Sequence, residues 1–282
     1  MTSFDGSVVG RRCDGPGFEV SADRIKAYAA ATNDSTPVSV AGTIAPPVFA
    51  IVPLRPLIRA MLLDTTPLYG QLRGLHGEQD ILVFAPIKSG MILRPHGSVI
   101  GIMQRATGTA VIVQARTEDQ HGALINEQFI TIYFPGATAA RSVGTDAPEH
   151  RLPETVLGRH PDAVVAQQTD ADQPARYAAA SGDTGAYHLD EEAARAVGLP
   201  GVIMHGMCTM AFACRALIEH AGDDSTRLRR LAVRFARPVR PGERLTTLIW
   251  RLDGQGGSGI YGFETRTESG APVLTHGRAE VA

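Results

Sequence analysis

Asp183 and His188 stand five residues apart in the segment Tyr177–Met207, which reads YAAASGDTGAYHLDEEAARAVGLPGVIMHGM. A carboxylate and an imidazole held close together in a dry pocket are the proton-transfer groups that general acid–base catalysis requires. Histidine suits such work because it exchanges its proton near neutral pH. Further on, a His205-Gly206 step opens a long apolar run. A helix starting there would present free backbone N–H groups and the positive end of its dipole. An Asp and a His at this spacing are usually structural when found alone, since Gly-Asp is ordinary turn chemistry. Their combination with the His-Gly step is what points to a site.

The surrounding elements are readable from period and punctuation. Asp172 with Pro174 in the first turn predicts a helix ending near Gly182, and Asp190-Glu191-Glu192 predicts a short helix that Gly198 stops. Ile203 to His220 reads as a helix apolar on most of its circumference, so other structure must wrap it. Strand-like runs follow at Leu228–Phe235, Leu245–Leu252, Ile260–Thr267 and Val273–Val281, separated by glycine-marked turns. Four antiparallel strands with a buried helix across them make an α+β unit.

The chain also repeats itself. Tyr28-Ala-Ala-Ala-Thr-Asn-Asp34 echoes Tyr177-Ala-Ala-Ala-Ser-Gly-Asp183, and Pro86-Ile-Lys-Ser-Gly90 echoes Pro238-Val-Arg-Pro-Gly242 at nearly the same offset. A looser echo links Thr117–Gly122 with Thr267–Gly270. Matches in one order at one offset indicate two copies of one domain. The expected division is a first domain over 1–134, a linker over 135–161 and a second domain over 162–282. Copy one has strand runs at Leu75–Phe84, Gly97–Met103, Ala110–Thr117 and Ala123–Phe134. Its central helix looks degenerate, because Pro53 and Pro56 fall where backbone donors are needed, at a cost of roughly 3 kcal/mol each. The space left by that helix is expected to become a cavity. Copy one keeps Asp34 but has Ser39 where the histidine would fall, so it is expected to be non-catalytic.

Ala180-Ser181-Gly182-Asp183, His188, Asp190, Ala194, Gly198 and His205-Gly206-Met207 together resemble the MaoC-like dehydratases, or (R)-specific enoyl-CoA hydratases. His76-Gly77-Glu78-Gln79 with Pro86, and Val233-Arg234-Phe235 through Pro241-Gly242, extend the resemblance over nearly the whole chain. It implies a double hot-dog fold, each unit an antiparallel sheet wrapped around one helix. It also implies that Asp183 and His188 form the catalytic pair, activating water for addition to a trans-2-enoyl thioester or acting in reverse. Gly206 N–H and Ser181 would be the oxyanion and substrate contacts, with no metal and no cofactor. His205 is expected to orient rather than to catalyse. The substrate would be an acyl-CoA or acyl-carrier thioester, and the chain would form a homodimer. This chain departs from the family at Gly185-Ala186, where the pattern has Asn-Pro; that keeps open a silent acyl-thioester-binding subunit, beside a hot-dog thioesterase.

Composition excludes other classes. A formal net charge of −2 leaves no basic footprint for nucleic acid. Cys13, Cys208 and Cys214 are too few and scattered for a disulfide framework, and no metal-ligand spacing is visible. The opening MTSFDGSVVGRR has no apolar h-region, and the run Gly206–Ile218 is too short to span a bilayer, so a cytoplasmic protein is expected. Gly254–Gly259 fits GxGxxG but joins two strand runs rather than opening a helix. Arg227, Arg229, Arg230, Arg234, Arg237 and Arg240 form a basic run, mostly a solvated strand face, from which one or two could meet coenzyme A phosphates.

Overall fold

A computed structural model describes residues 4–66 and 74–282; residues 1–3 and 67–73 of the expected first domain lie outside them. Helices α1 (Ala22–Ala31) and α2 (Arg55–Thr65) precede strands β1 (Leu75–Val83), β2 (Ile92–Arg105), β3 (Gly108–Glu118) and β4 (Leu124–Pro135). There follow β5 (Ala163–Gln168), α3 (Gln173–Ser181), α4 (Glu191–Ala196) and α5 (Gly206–His220). The chain closes with β6 (Leu228–Phe235), β7 (Arg244–Asp253), β8 (Gly259–Thr267) and β9 (Pro272–Val281). Two compact units result. One holds Met1–Glu19, Pro53–Ala85 and Ile92–Glu149; the other holds Val20–Val52, Pro86–Met91 and His150–Ala282.

In the first unit the strands run antiparallel in the order β2-β3-β4-β1, and Cys13–Asp14 pairs with His96 and Gly97 on the outer edge of β2. Helix α2 lies on β2 and buries Leu57, Met61 and Leu62, leaving Arg59 exposed. The expected position of the prolines is corrected here. Pro53 belongs to a 3-10 segment, Pro47–Leu54, and Pro56 sits in the first turn of α2. First-turn N–H groups have no intrahelical partner, so Pro56 removes nothing the helix needs. The helix is shortened to 11 residues, against 15 in α5, and begins after the prolines rather than breaking at them. Val48 to Leu54 are all buried, so this segment fills interior space itself.

The second unit repeats the plan. Its order is β6-β9-β8-β7, again antiparallel, with β5 added beyond β7. Each copy thus places its first strand beside its fourth, then its third and second. Strand β5 was not expected from the sequence. Its six residues emerge from a Pro-rich stretch, and its exposure alternates along one half-buried ribbon at the sheet edge. Cys13 pairs with the second strand of copy one as β5 pairs with that of copy two, so both edges belong to the repeat.

Helix α5 packs against β5, β6, β7 and β9, the hot-dog arrangement. Eleven of its 15 residues are buried, on all sides. Truncating a core side chain such as Phe212 to Ala would cost about 3–5 kcal/mol, against roughly 5–15 kcal/mol for a whole domain. Helices α1 and α3, which carry the echoed Tyr-Ala-Ala-Ala sequences, lie together. The buried hydroxyls of Tyr28 and Tyr177 are 3.4 Å apart and their rings 5.6 Å. Gln173 Nε2 donates to Ala31 O at 2.5 Å, closing the end of α1. Asp190 caps α4 as expected, accepting the Ala193 N–H at 2.7 Å, and Gly198 follows with φ +82°. Asp172 makes no cap bond; its carboxylate pairs with Arg176 at 3.0 Å instead.

All three cysteines are free thiols. Burial pushes Cys208 and Cys214 well above the ordinary thiol range, removing the thiolate that reacts. Native protein treated with iodoacetamide at pH 8 should therefore be alkylated at half-buried Cys13 alone. Mass spectrometry of native and denatured samples checks this; early labelling of Cys208 or Cys214 would show that α5 opens readily.

Candidate active site

The turn that carries Asp183 is built by the end of α3. Gly182 takes φ +74°, the left-handed conformation that ends helices, and its N–H bonds Ala178 O at 2.9 Å. Ser181, 4% exposed, uses its Oγ to accept the Asp183 N–H at 3.1 Å. The hydroxyl named above as a substrate contact thus fixes the turn. A 3-10 turn over Ala186–His188 follows, closed by His188 N–H to Gly185 O at 2.9 Å. Asp183 is half-buried, and His188 is 6% exposed.

His188 Nδ1 lies 2.9 Å from Ile203 O. A carbonyl only accepts, so Nδ1 carries the proton and Nε2 is the basic nitrogen of the neutral ring. His205 is held the same way: its Nε2 donates to the backbone carbonyl of Asp183 at 2.9 Å. Its ring stacks on that of His188, with centroids 3.7 Å apart and planes 26° apart. Tyr177 lies 4.8 Å from the His205 ring, and Tyr187 lies 4.3 Å from the His188 ring. Four rings from α3, the 3-10 turn and the residue before α5 therefore form one pile. His205 ties the backbone of one candidate residue to the ring of the other.

At the start of α5, His205 takes extended angles and its side chain caps nothing. The Gly206 N–H has no hydrogen bond among the described residues, the expected state of a first-turn donor. A Cβ on Gly206 would sit 3.1 Å from the Phe235 ring, so a side chain there crowds the sheet. A Cβ on Gly185 would lie 3.3 Å from His188 Cδ2 and 3.5 Å from the Tyr187 ring. Tyr187 and His188 thus close over the position where the family pattern has a longer side chain.

Donor atoms of Asp183, His188 and His205 all lie within 4.8 Å of one another, a grouping that the sequence spacing did not reveal. Two of the ring nitrogens are engaged with carbonyls, and the two rings are stacked with planes 26° apart. In copy one, Asp34 is spent differently. Its carboxylate accepts both the N–H (2.8 Å) and the hydroxyl of Thr36, and no ring base stands at Ser39.

Residues 153–271 match the MaoC-like domain, and residues 41–136 match the N-terminal domain of the hydratase 2 part of multifunctional enzyme type 2. A 3-hydroxyacyl-thioester dehydratase Y of Mycobacterium tuberculosis is 33% identical over 73% of this chain and 72% of its own length. The chain belongs to the MaoC-like dehydratase family. A probable enoyl-CoA hydratase 2 of Dictyostelium discoideum is 29% identical over 64% of this chain, which spans 61% of that protein's length. The fold agrees as well. A MaoC-like dehydratase structure from Phytophthora capsici superposes with a TM-score of 0.83 at 24% identity, covering 99% of this chain and 98% of that one. Among the described residues, no helix is long and apolar enough to cross a membrane.

Crowding at the start of α5 gives a test of this geometry. Gly206→Ala should lower stability by about 1–3 kcal/mol through overpacking against Phe235. Phe235→Leu in the same chain should recover part of the loss. Chemical denaturation of the three proteins measures both; a silent Gly206→Ala would mean the ring yields freely.

Proposed function

We propose that the chain hydrates trans-2-enoyl thioesters to (3R)-hydroxyacyl thioesters, or runs the reverse dehydration, with copy two as the catalytic domain. The observation carrying this reading is the pile that sets the Asp183 carboxylate and the His188 ring within reach of one another beside an uncapped helix start. Water held between the Asp183 carboxylate and His188 Nε2 attacks C3 of the enoyl group. The proton it loses is returned to C2 on the same face. Charge that builds on the thioester oxygen meets the free Gly206 N–H and the dipole of α5. His205 holds the two reacting groups in register and exchanges no proton with substrate.

Residues 1–134 form the non-catalytic domain in this reading and 162–282 the catalytic one, joined by 135–161. The acyl carrier is coenzyme A or a carrier protein. A cytoplasmic location agrees with three unpaired thiols in a reducing compartment, and a homodimer rests on the family resemblance alone. The substitution Gly185-Ala186 for Asn-Pro favours a second reading, a subunit that binds acyl thioesters without turning them over.

Incubation with short and long trans-2-enoyl-CoA esters, following loss of the conjugated absorbance, tests the reading. Asp183→Asn and His188→Ala should each lower kcat by about 10²–10⁴-fold. Turnover surviving both substitutions would sink the assignment, and release of free thiol would point to hydrolysis. His205→Ala should lower kcat while leaving KM nearly unchanged, and should shift the pH profile that reports His188. An unaltered profile would reduce His205 to packing.

A further inference from the structure

Six arginines between positions 227 and 240 divide into two sets. Arg227 donates to Ala282 O, Ala221 O and Ser258 Oγ at 2.7–3.1 Å, Arg229 donates to the carbonyls of Thr226 and Leu228, and Arg230 lies 3.6 Å from Glu280. Those three secure the beginning of β6. Arg234, Arg237 and Arg240 are exposed, and their side chains form no ion pair or hydrogen bond among the described residues. An exposed guanidinium without a partner needs none for folding, so these three are free to meet something else.

Of the free set, Arg240 alone lines the groove that reaches His188. That groove encloses about 680 Å³, within the range of roughly 300–1,000 Å³ typical of small-ligand sites. Its acids are already compensated or committed. Asp172 pairs with Arg176 at 3.0 Å and Glu191 with Arg195 at 2.7 Å, while Glu243 accepts the Arg240 backbone N–H at 3.2 Å. The backbone under Arg240 is equally fixed. Gly242 takes φ +82° after Pro241, its carbonyl accepts from Gln168 Nε2 at 2.7 Å, and the Glu243 carbonyl accepts from Thr169 Oγ1 at 2.7 Å. An exposed cation thus stands on a hydrogen-bonded turn, in the groove that also contains the candidate base.

We propose that Arg240 binds a phosphate of a phosphopantetheine-bearing substrate, reading the end of the molecule remote from the thioester. A guanidinium suits this because it can bond a phosphate through two parallel N–H groups and never loses its charge. The inference rests on the acyl-thioester reading of the His188 site. It adds that substrate selection lies partly in Arg240, away from the reacting carbons.

Kinetics with one enoyl group on three carriers tests it: coenzyme A, 4′-phosphopantetheine and uncharged N-acetylcysteamine. Arg240→Gln should raise KM for the coenzyme A ester by about tenfold, the scale of one charge-assisted hydrogen bond, and leave kcat and the N-acetylcysteamine ester unchanged. Arg240→Lys should recover part of the affinity, and Arg234→Gln should change nothing. An effect shared by the phosphopantetheine ester assigns the contact to the pantetheine phosphate; an effect confined to coenzyme A assigns it to the nucleotide phosphates. Equal KM changes on all three carriers, or none, would overturn the proposal. Calorimetric titration with coenzyme A separates the two readings. Binding that weakens in Arg240→Gln without any turnover by the unaltered protein keeps the phosphate contact and removes the hydratase reading, whereas binding indifferent to Arg240 removes the contact.

Discussion

Burial of α5 on nearly all sides decides where its first turn must end, and the candidate site hangs from that end. A helix so enclosed cannot slide or tilt without opening voids in its packing. Its N-terminus is therefore a fixed point, and His205 and Gly206 take their places from it. Through the His205 ring that fixed point reaches the carbonyl of Asp183 and the face of His188. The loop between α3 and α4 would otherwise be a short glycine-bearing connection. It is instead clamped at three points: Ser181 Oγ, Ile203 O and His205 Nε2. Two carbonyl acceptors also settle which nitrogen of each imidazole carries its proton.

Much of this was legible in the residues. The four strands of each copy fall within a few residues of their expected ranges, except β2, which starts five residues early, because alternating apolar runs bounded by glycine turns have few other uses. Helix α5 was legible because only an enclosed helix is apolar on every side. What failed was local. Pro53 and Pro56 were placed inside a helix that had therefore to be shortened, displaced or broken; it is shortened, and its start after Pro53 makes Pro56 harmless. Strand β5 was invisible because a half-buried edge ribbon of six residues carries too weak a pattern. The pile of Tyr177, His205, His188 and Tyr187 had no signature either, because stacking joins residues by place in the fold and not by any period. The bond that Ser181 makes within its own turn was hidden for a related reason. A serine before Gly-Asp can serve a ligand or its own backbone, and only the geometry shows that its oxygen accepts from Asp183.

The two echoed acids show how little separates a turn residue from a reactive one. Asp34 and Asp183 follow matching helices, yet Asp34 receives two donors from Thr36 and so is engaged by its own loop. Past Asp183 the chain turns through Gly185 and lifts His188 into place instead. The difference lies in the few residues after each acid, not in the scaffold beneath them.

The meeting of Tyr28 with Tyr177 bears on the history of such a chain. The two tyrosines occupy equivalent places in the repeat, and each finds the other rather than an unrelated residue. In an assembly of identical subunits, one substitution at such a place alters both partners at once. Joined in a single polypeptide, the two positions mutate separately. Here one copy carries Ser39 and an 11-residue helix where the other carries His188 and a 15-residue one.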